Sequence, residues 1–400
     1  MAEEKKHAVI TPEMVERARS RIGERWLPRQ DPYHNTQASR DTIRHFCNGI
    51  GDTNPLYRSP KYAKNTRYGR VLAPPCFLYS ILWPGGQGGS MPGIHAWHSG
   101  NDWEWHRPIF EGDDIRYVMV PSDLVEKQSR MARRTFISYE NVYYMNQSDE
   151  VIAKAVGWAV WAERGASGEQ GKYLHIDKAS YTPEQVKKIY DDIDNEEIRG
   201  ANARYWGDVE VGEEMAPVVK GPLSPRDMNA WLMGGGSPYM RAHEIFVAYQ
   251  KRHPAVGMVD STSGQIDVPE LVHMEDSRAQ EIGIPGAYDY GCQRMSWLGH
   301  VLTNWMGDDG FLWKMYGELR LFNVIGDTHW IKGKVTRKYI EGGKCCVDVD
   351  CWGENQRGDT TMPGHGTIIL PSREHGPVVY PEPCEAPEEL KAFSWDQILS

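Results

Sequence analysis

The stretch Gly51-Asp52-Thr53-Asn54-Pro55-Leu56-Tyr57 sets an acid, an amide and a proline in one short polar turn ahead of a helix-like run. A carboxylate and a carboxamide two residues apart can hold a water or a substrate oxygen, the groundwork of general acid–base chemistry. Tyr57 adds little to this as a base, since a phenol ordinarily titrates near ~10. The chain carries a weaker echo of the pattern in its second half. Asn54 to Tyr57, running on to Ala63, is echoed by Glu270 to His273, running on to Ala279, so a histidine stands where the first copy has Tyr57.

Two more landmarks follow in the same order. Gly112 in RPIFEGDDI matches Gly326 in RLFNVIGDTHW, and Asn146 matches Asn355, each asparagine opening a β-rich run. The offsets are 216, 214 and 209 positions, which marks a duplicated unit. In each copy a polar turn leads into a helix and then into long strands. The second helix is the clearer: Met295, Leu298, Val301, Leu302, Trp305 and Met306 recur at spacings of three and four, and Gly307 to Gly310 end the run. The segments WIKGKVTRKYI and CCVDVDCW read as strands, as do ARRTFISYENVYYMNQ and VIAKAVGWAVWAE in the first copy. One helix against a long antiparallel sheet, twice, is an α+β architecture. The expected units are residues 1–165, a linker of 166–200 with a helix capped by Thr182, a second unit of 201–371 and an arm of 372–400.

A length of 400 residues suits two such units, and 40% hydrophobic with 25% charged residues is ordinary for a folded chain. A formal net charge of −10 argues against a nucleic-acid partner, which needs a basic face. The sequence has no run of eighteen apolar residues and its start lacks the apolar core of a signal peptide, so a cytoplasmic protein without a membrane span is expected. Seven irregularly spaced cysteines without a CxxC pair read as reduced thiols. His95, His98 and His106, near Trp97, Trp103 and Trp105, fit no metal-ligand spacing and read as core or tunnel lining, so no metal is expected.

GDTNPLY with Ala63 six residues on resembles the signature GDxNPxH…Ala of the MaoC-like dehydratases and (R)-specific enoyl-CoA hydratases. HMEDSRAQEIGIPGAYDYGCQRMSWL and FNVIGDTHW resemble the same family further along. The resemblance spans roughly residues 10 to 371 and implies a double hotdog, each half a central helix wrapped by an antiparallel sheet. It also implies hydration of a 2-enoyl-CoA or dehydration of a 3-hydroxyacyl-CoA. An acid and a histidine handle the water, and a glycine N–H eighteen residues beyond the histidine takes the thioester oxygen.

Carried onto this sequence, the first half matches at Asp52 and Asn54 but has Tyr57 for the histidine and Pro75, which has no N–H, for the glycine. It is the less favoured site. The second half has His273 and Gly291, but Val268 and Glu270 stand at the acid and amide positions, leaving Asp267 or Glu270 as the carboxylate. The stretch from Trp231 to His273 reads as an insertion, and Gly234-Gly235-Gly236-Ser237-Pro238 is a displaced counterpart of the first turn. Within it Arg241, His243 and Arg252 are candidates for the phosphates of coenzyme A, which enters as part of the substrate and not as a separate cofactor. Many aromatic residues suit a bulky or cyclic acyl group, and a homo-oligomer is a possible assembly. The rival readings are a non-catalytic acyl-CoA-binding or scaffold subunit, and a hotdog thioesterase.

Overall fold

The structure is a computed structural model that describes residues 9–26, 34–85, 91–128, 134–163, 177–260 and 263–385. Most of the glycine-rich loop after Gly85, the first part of the expected linker (166–176) and the end of the arm lie outside the described residues.

Nine strands form one sheet: β1 (His95–Trp105), β2 (Arg116–Gln128), β3 (Arg134–Met145), β4 (Val151–Ala162), β5 (Val218–Lys220), β6 (Phe311–Glu318), β7 (His329–Glu341), β8 (Lys344–Asn355) and β9 (Thr360–Ile369). Their order is β2-β3-β4-β1-β6-β9-β8-β7-β5, and every pairing is antiparallel. The repeat explains the order. β1 follows the 3₁₀ turn Pro75–Ser80 and β6 follows the helix Gly291–Met306, the equivalent places in the two halves, and they pair at the centre with Trp103 opposite Met315 and Gly100 opposite Glu318. Along β3 and β4 buried and half-buried residues alternate, as the period of two requires of a strand with one face in the core.

The helices that matter for the site are α1 (Arg40–Ile50), α2 (Pro183–Asp194), α3 (Pro225–Gly235), α4 (His243–Arg252) and α5 (Gly291–Met306). α2 begins at Thr182, whose hydroxyl and Gln185 form a capping box. In α5 every residue from Cys292 to Met306 is buried, not only the apolar face legible from its spacing. The sheet wraps one side, while α1 and the 3₁₀ turn Pro75–Ser80 close the other. That 3₁₀ turn is all the first half keeps of a central helix. Pro74 and Pro75 start it and Trp83-Pro84 ends the segment, and proline removes the amide donors that a longer helix needs.

α1 and α3 are the equivalent helices of the two halves and pack on one another. Each ends on a glycine in a left-handed backbone, Gly51 at φ 68° and Gly236 at φ 71°, a conformation costly for any residue with a Cβ. Asp52 follows the first glycine and Ser237 the second. The acid of the first turn is therefore a serine in the second.

Candidate active site

The second-half site is built on one short element. Pro269–His273 is a 3₁₀ turn, in which side chains three residues apart eclipse, so Glu270 and His273 project from the same face. Glu270 is buried, and burial raises its carboxyl to about 7. Its Oε1 accepts a short hydrogen bond from the Ser237 hydroxyl, while Oε2 has no partner among the described residues. The carboxylate missing from the displaced turn thus returns from across the insertion, tied to the serine that replaced it. Asp267 is engaged locally: its carboxylate accepts from the Val268 N–H at 2.8 Å and from Gln265 at 3.3 Å.

His273 Nδ1 lies 2.8 Å from the Tyr288 carbonyl oxygen, so Nδ1 carries the proton and donates it, and Nε2 is the lone-pair nitrogen of the neutral ring. Burial holds the imidazole down at about 4, so it is neutral at pH 7. Its ring stacks on Tyr290 at 3.9 Å and meets Tyr288 edge-on at 4.6 Å. Tyr290 is the residue before Gly291, so the histidine is held at the start of α5. There the first amides have no partner within the helix and the helix dipole favours negative charge.

The first half reaches into this site. His98 on β1 donates from Nε2 to Asn101 Oδ1 at 2.8 Å, and Asn101 is itself anchored by the Tyr79 hydroxyl at 2.7 Å and by the Pro84 carbonyl at 2.7 Å. A Cβ at Gly291 would lie 2.4 Å from His98 Nδ1 and 2.7 Å from Leu319 Cδ1. Because this ring is locked, Gly291→Ala is expected to destabilise the fold by about 1–3 kcal/mol. Urea denaturation would show it, and an unchanged midpoint would mean that His98 moves aside freely.

A buried ion pair fixes the helix start. Arg294 bonds both oxygens of Asp289, one at 2.8 Å, and its Nη1 donates to the Leu321 carbonyl at 2.6 Å. Asn323 adds a hydrogen bond to Asp289 Oδ2 at 2.9 Å.

The first-half residues are arranged differently. Asp52 Oδ1 accepts from the Asn54 N–H at 2.8 Å, and the Asn54 side chain accepts from the Leu56 N–H at 3.0 Å. The amide therefore caps a turn. Tyr57 is buried, its hydroxyl is paired with Thr303, and its pKa is driven well above that of a free phenol. In space the absent histidine is replaced by His300 of α5, whose Nε2 is 3.5 Å from Asp52 Oδ1. Burial raises Asp52 to about 6 and holds His300 well below its ordinary value. The crevice between them, walled by Ile50, Pro75, Cys76 and Gly299, has no room for the centre of a water molecule.

His300 and His98 each reach their site from the opposite half, so the linear sequence does not link either of them to it. His243 and Arg252 lie exposed on α4, which has no buried residue, and Arg241 precedes that helix. No helix among the described residues is long and apolar enough to cross a membrane.

The family model for the FAS1-like dehydratase domain region matches residues 32–155, within the first half. A UPF0336 protein of Streptomyces avermitilis is 34% identical over 97 residues, 23% of this chain and 63% of that protein. Another, from Parafrankia sp., is 31% identical over 126 residues, 30% of this chain and 79% of the relative. The chain thus spans somewhat less than two thirds of the first relative's length. Among solved structures, a MaoC-like dehydratase superposes with a TM-score of 0.62 at 14% identity, covering 88% of this chain and 99% of the other. A conserved hypothetical protein from Mycobacterium tuberculosis with a double hotdog fold superposes at 0.51 and 10% identity, covering 87% and 96%. The sequence likeness to the dehydratase region lies in the first half, the relative matched over 79% of its length shows that the chain belongs to the UPF0336 family, and its fold through both halves is the double hotdog shared with the MaoC-like dehydratase structure.

Proposed function

We propose that the chain is an acyl-CoA hydratase or dehydratase working at the second-half site on a 2-enoyl-CoA and 3-hydroxyacyl-CoA pair. The observation that carries this is the 3₁₀ turn presenting Glu270 and His273 side by side at the start of α5. Water donates one hydrogen bond to Glu270 Oε2 and the other to His273 Nε2, leaving an oxygen lone pair for the substrate. The oxygen attacks C3 of the enoyl group, the thioester oxygen gathers charge at the Gly291 N–H, and the proton taken from water is returned to C2. Dehydration runs the same steps backwards. With His273 depressed to about 4 and Glu270 raised to about 7, the carboxylate is the more basic partner at neutral pH, and the imidazole chiefly orients the water.

Trp83 and Trp231 stand 5.7 and 6.5 Å from Tyr290, and such aromatic walls suit a bulky or cyclic acyl group. Arg241, His243 and Arg252 are our candidates for the coenzyme A phosphates, and a homo-oligomer is compatible with the reading. Incubation with a panel of 2-enoyl-CoAs followed by mass spectrometry tests the proposal. Gain of one water supports it, release of free coenzyme A indicates a thioesterase, and no change across the panel favours a binding subunit.

Glu270 gives the reaction a pH signature. Hydration should rise through pH about 7 as the carboxylate forms, and Glu270→Gln should abolish that limb. Stability moves the opposite way. An unfolded glutamate titrates near ~4.3, so the folded state, with its value raised to about 7, holds the proton more tightly. The stability this gives is complete below the unfolded value and is lost as pH climbs through the folded one. Relative to wild type, Glu270→Gln should therefore be more stable at pH 8 than at pH 5. Equal differences in urea midpoint at the two pH values would contradict a buried, titrating Glu270.

A further inference from the structure

The signature turn of the first half also walls a cleft that takes no part in the proposed reaction. Leu56, Tyr57, Leu72, Trp105, Phe311 and Leu312 make it largely apolar, and its space is about 430 Å³ including the open mouth. About 40 Å³ admits the centre of a water molecule, room for roughly three waters or a chain of a few carbons. It lies by the C-terminal end of α5, whose sixteen residues put it roughly 24 Å from Gly291.

The polar side chains of this cleft are nearly all engaged. The Tyr57 hydroxyl is paired with Thr303, the Tyr68 hydroxyl accepts from Arg67 at 2.7 Å, and the Trp105 indole donates to the Pro75 carbonyl at 3.0 Å. Arg107 is paired with Glu150 at 2.7 Å and donates to the Pro381 carbonyl at 2.8 Å. Asp308 is the exception. It is only 5% exposed; Oδ2 accepts from the Tyr62 hydroxyl at 2.7 Å, and Oδ1 has no partner among the described residues. A buried carboxylate oxygen without a hydrogen bond is costly, and a donor brought to it by a ligand removes that cost. A second carboxylate brought to the same place would add a like charge at low dielectric.

We propose that this cleft is a second small-molecule site, for a short apolar molecule whose head, an alcohol or a primary ammonium, donates a hydrogen bond to Asp308 Oδ1. Chemistry is absent from it: Tyr57 is no base and Pro75 offers no amide. The site binds without turning over, and its occupant is distinct from the acyl thioester handled at His273.

Isothermal titration of the full chain with 1-hexanol, hexylammonium chloride and sodium hexanoate tests this without any turnover assay. The alcohol and the ammonium should bind saturably at one site, and hexanoate at least about tenfold more weakly. Asp308→Asn, whose amide can both donate and accept, should reduce that preference to about threefold or less. Ala73→Leu, which places bulk in the cleft wall, should weaken all three probes together. The inference is overturned if neither donor probe binds saturably, if hexanoate binds as tightly as hexanol, or if folded Asp308→Asn keeps the full preference. The wild-type comparison stands alone should a variant fail to fold.

Discussion

His273→Ala should lower hydration of a responsive 2-enoyl-CoA by at least about a hundredfold, the lower end of what positioned acid–base groups contribute. Most of the loss should fall on kcat. The imidazole contacts the water that attacks, whereas the acyl group and coenzyme A are held by other residues, so its removal leaves ground-state binding largely intact. The hydrogen bond from Nδ1 to the Tyr288 carbonyl decides which conservative replacement is informative. His273→Asn can restore the backbone contact but presents no nitrogen lone pair to water, so it should remain as inactive as alanine while folding better. Thermal unfolding of both variants separates lost chemistry from lost structure. Near-wild-type turnover in a folded His273→Ala protein would remove this residue from the mechanism, and the non-catalytic reading would gain.

Why some of this was legible in the sequence and some was not has a physical basis. The duplication could be read because turn glycines and strand-opening asparagines are local requirements, so Gly112 and Gly326 keep their places even where nothing else matches. His273 and Gly291 could be located because the distance along the chain from the polar turn to the central helix is fixed by the fold. The carboxylate could not be settled by counting. Asp267 and Glu270 sit on either side of the expected position, and only the 3₁₀ turn, with its repeat of three, puts Glu270 on the face of His273. Gly234 to Pro238 was readable as a displaced counterpart of the first turn, but Ser237 was not readable as the partner of Glu270, because the insertion between them closes only in three dimensions. His300 and His98 show the same limit more strongly, since each comes from the opposite half. The shortened central helix of the first half follows from Pro74, Pro75 and Pro84, a signal that was present in the chain and outweighed by the repeat.

Asp289→Ala should cost about 3–5 kcal/mol of stability, a large share of what a domain has. The reason is the partner left behind. Arg294 has only 3% of its side chain exposed, and besides Asp289 its hydrogen-bonding partner is the Leu321 carbonyl, so truncation strands a buried guanidinium. The pair itself contributes much less than that figure. Burial outweighs Arg294 in its effect on Asp289 and leaves the carboxyl above its usual range, as expected where desolvation exceeds the ionic attraction. Removing both charges, as in Asp289→Leu with Arg294→Met, should therefore recover most of the lost stability in chemical denaturation. The two changes should be strongly non-additive. Activity should not recover with it. Asp289 sits between Tyr288, whose carbonyl fixes the His273 tautomer, and Tyr290, against which the imidazole stacks, and Gly291 follows directly. A restored fold with turnover still depressed would identify the ion pair as the device that positions the site. Full recovery of both would reduce it to packing, and a loss below about 1 kcal/mol in the single variant would show that water reaches Arg294 when its partner is gone.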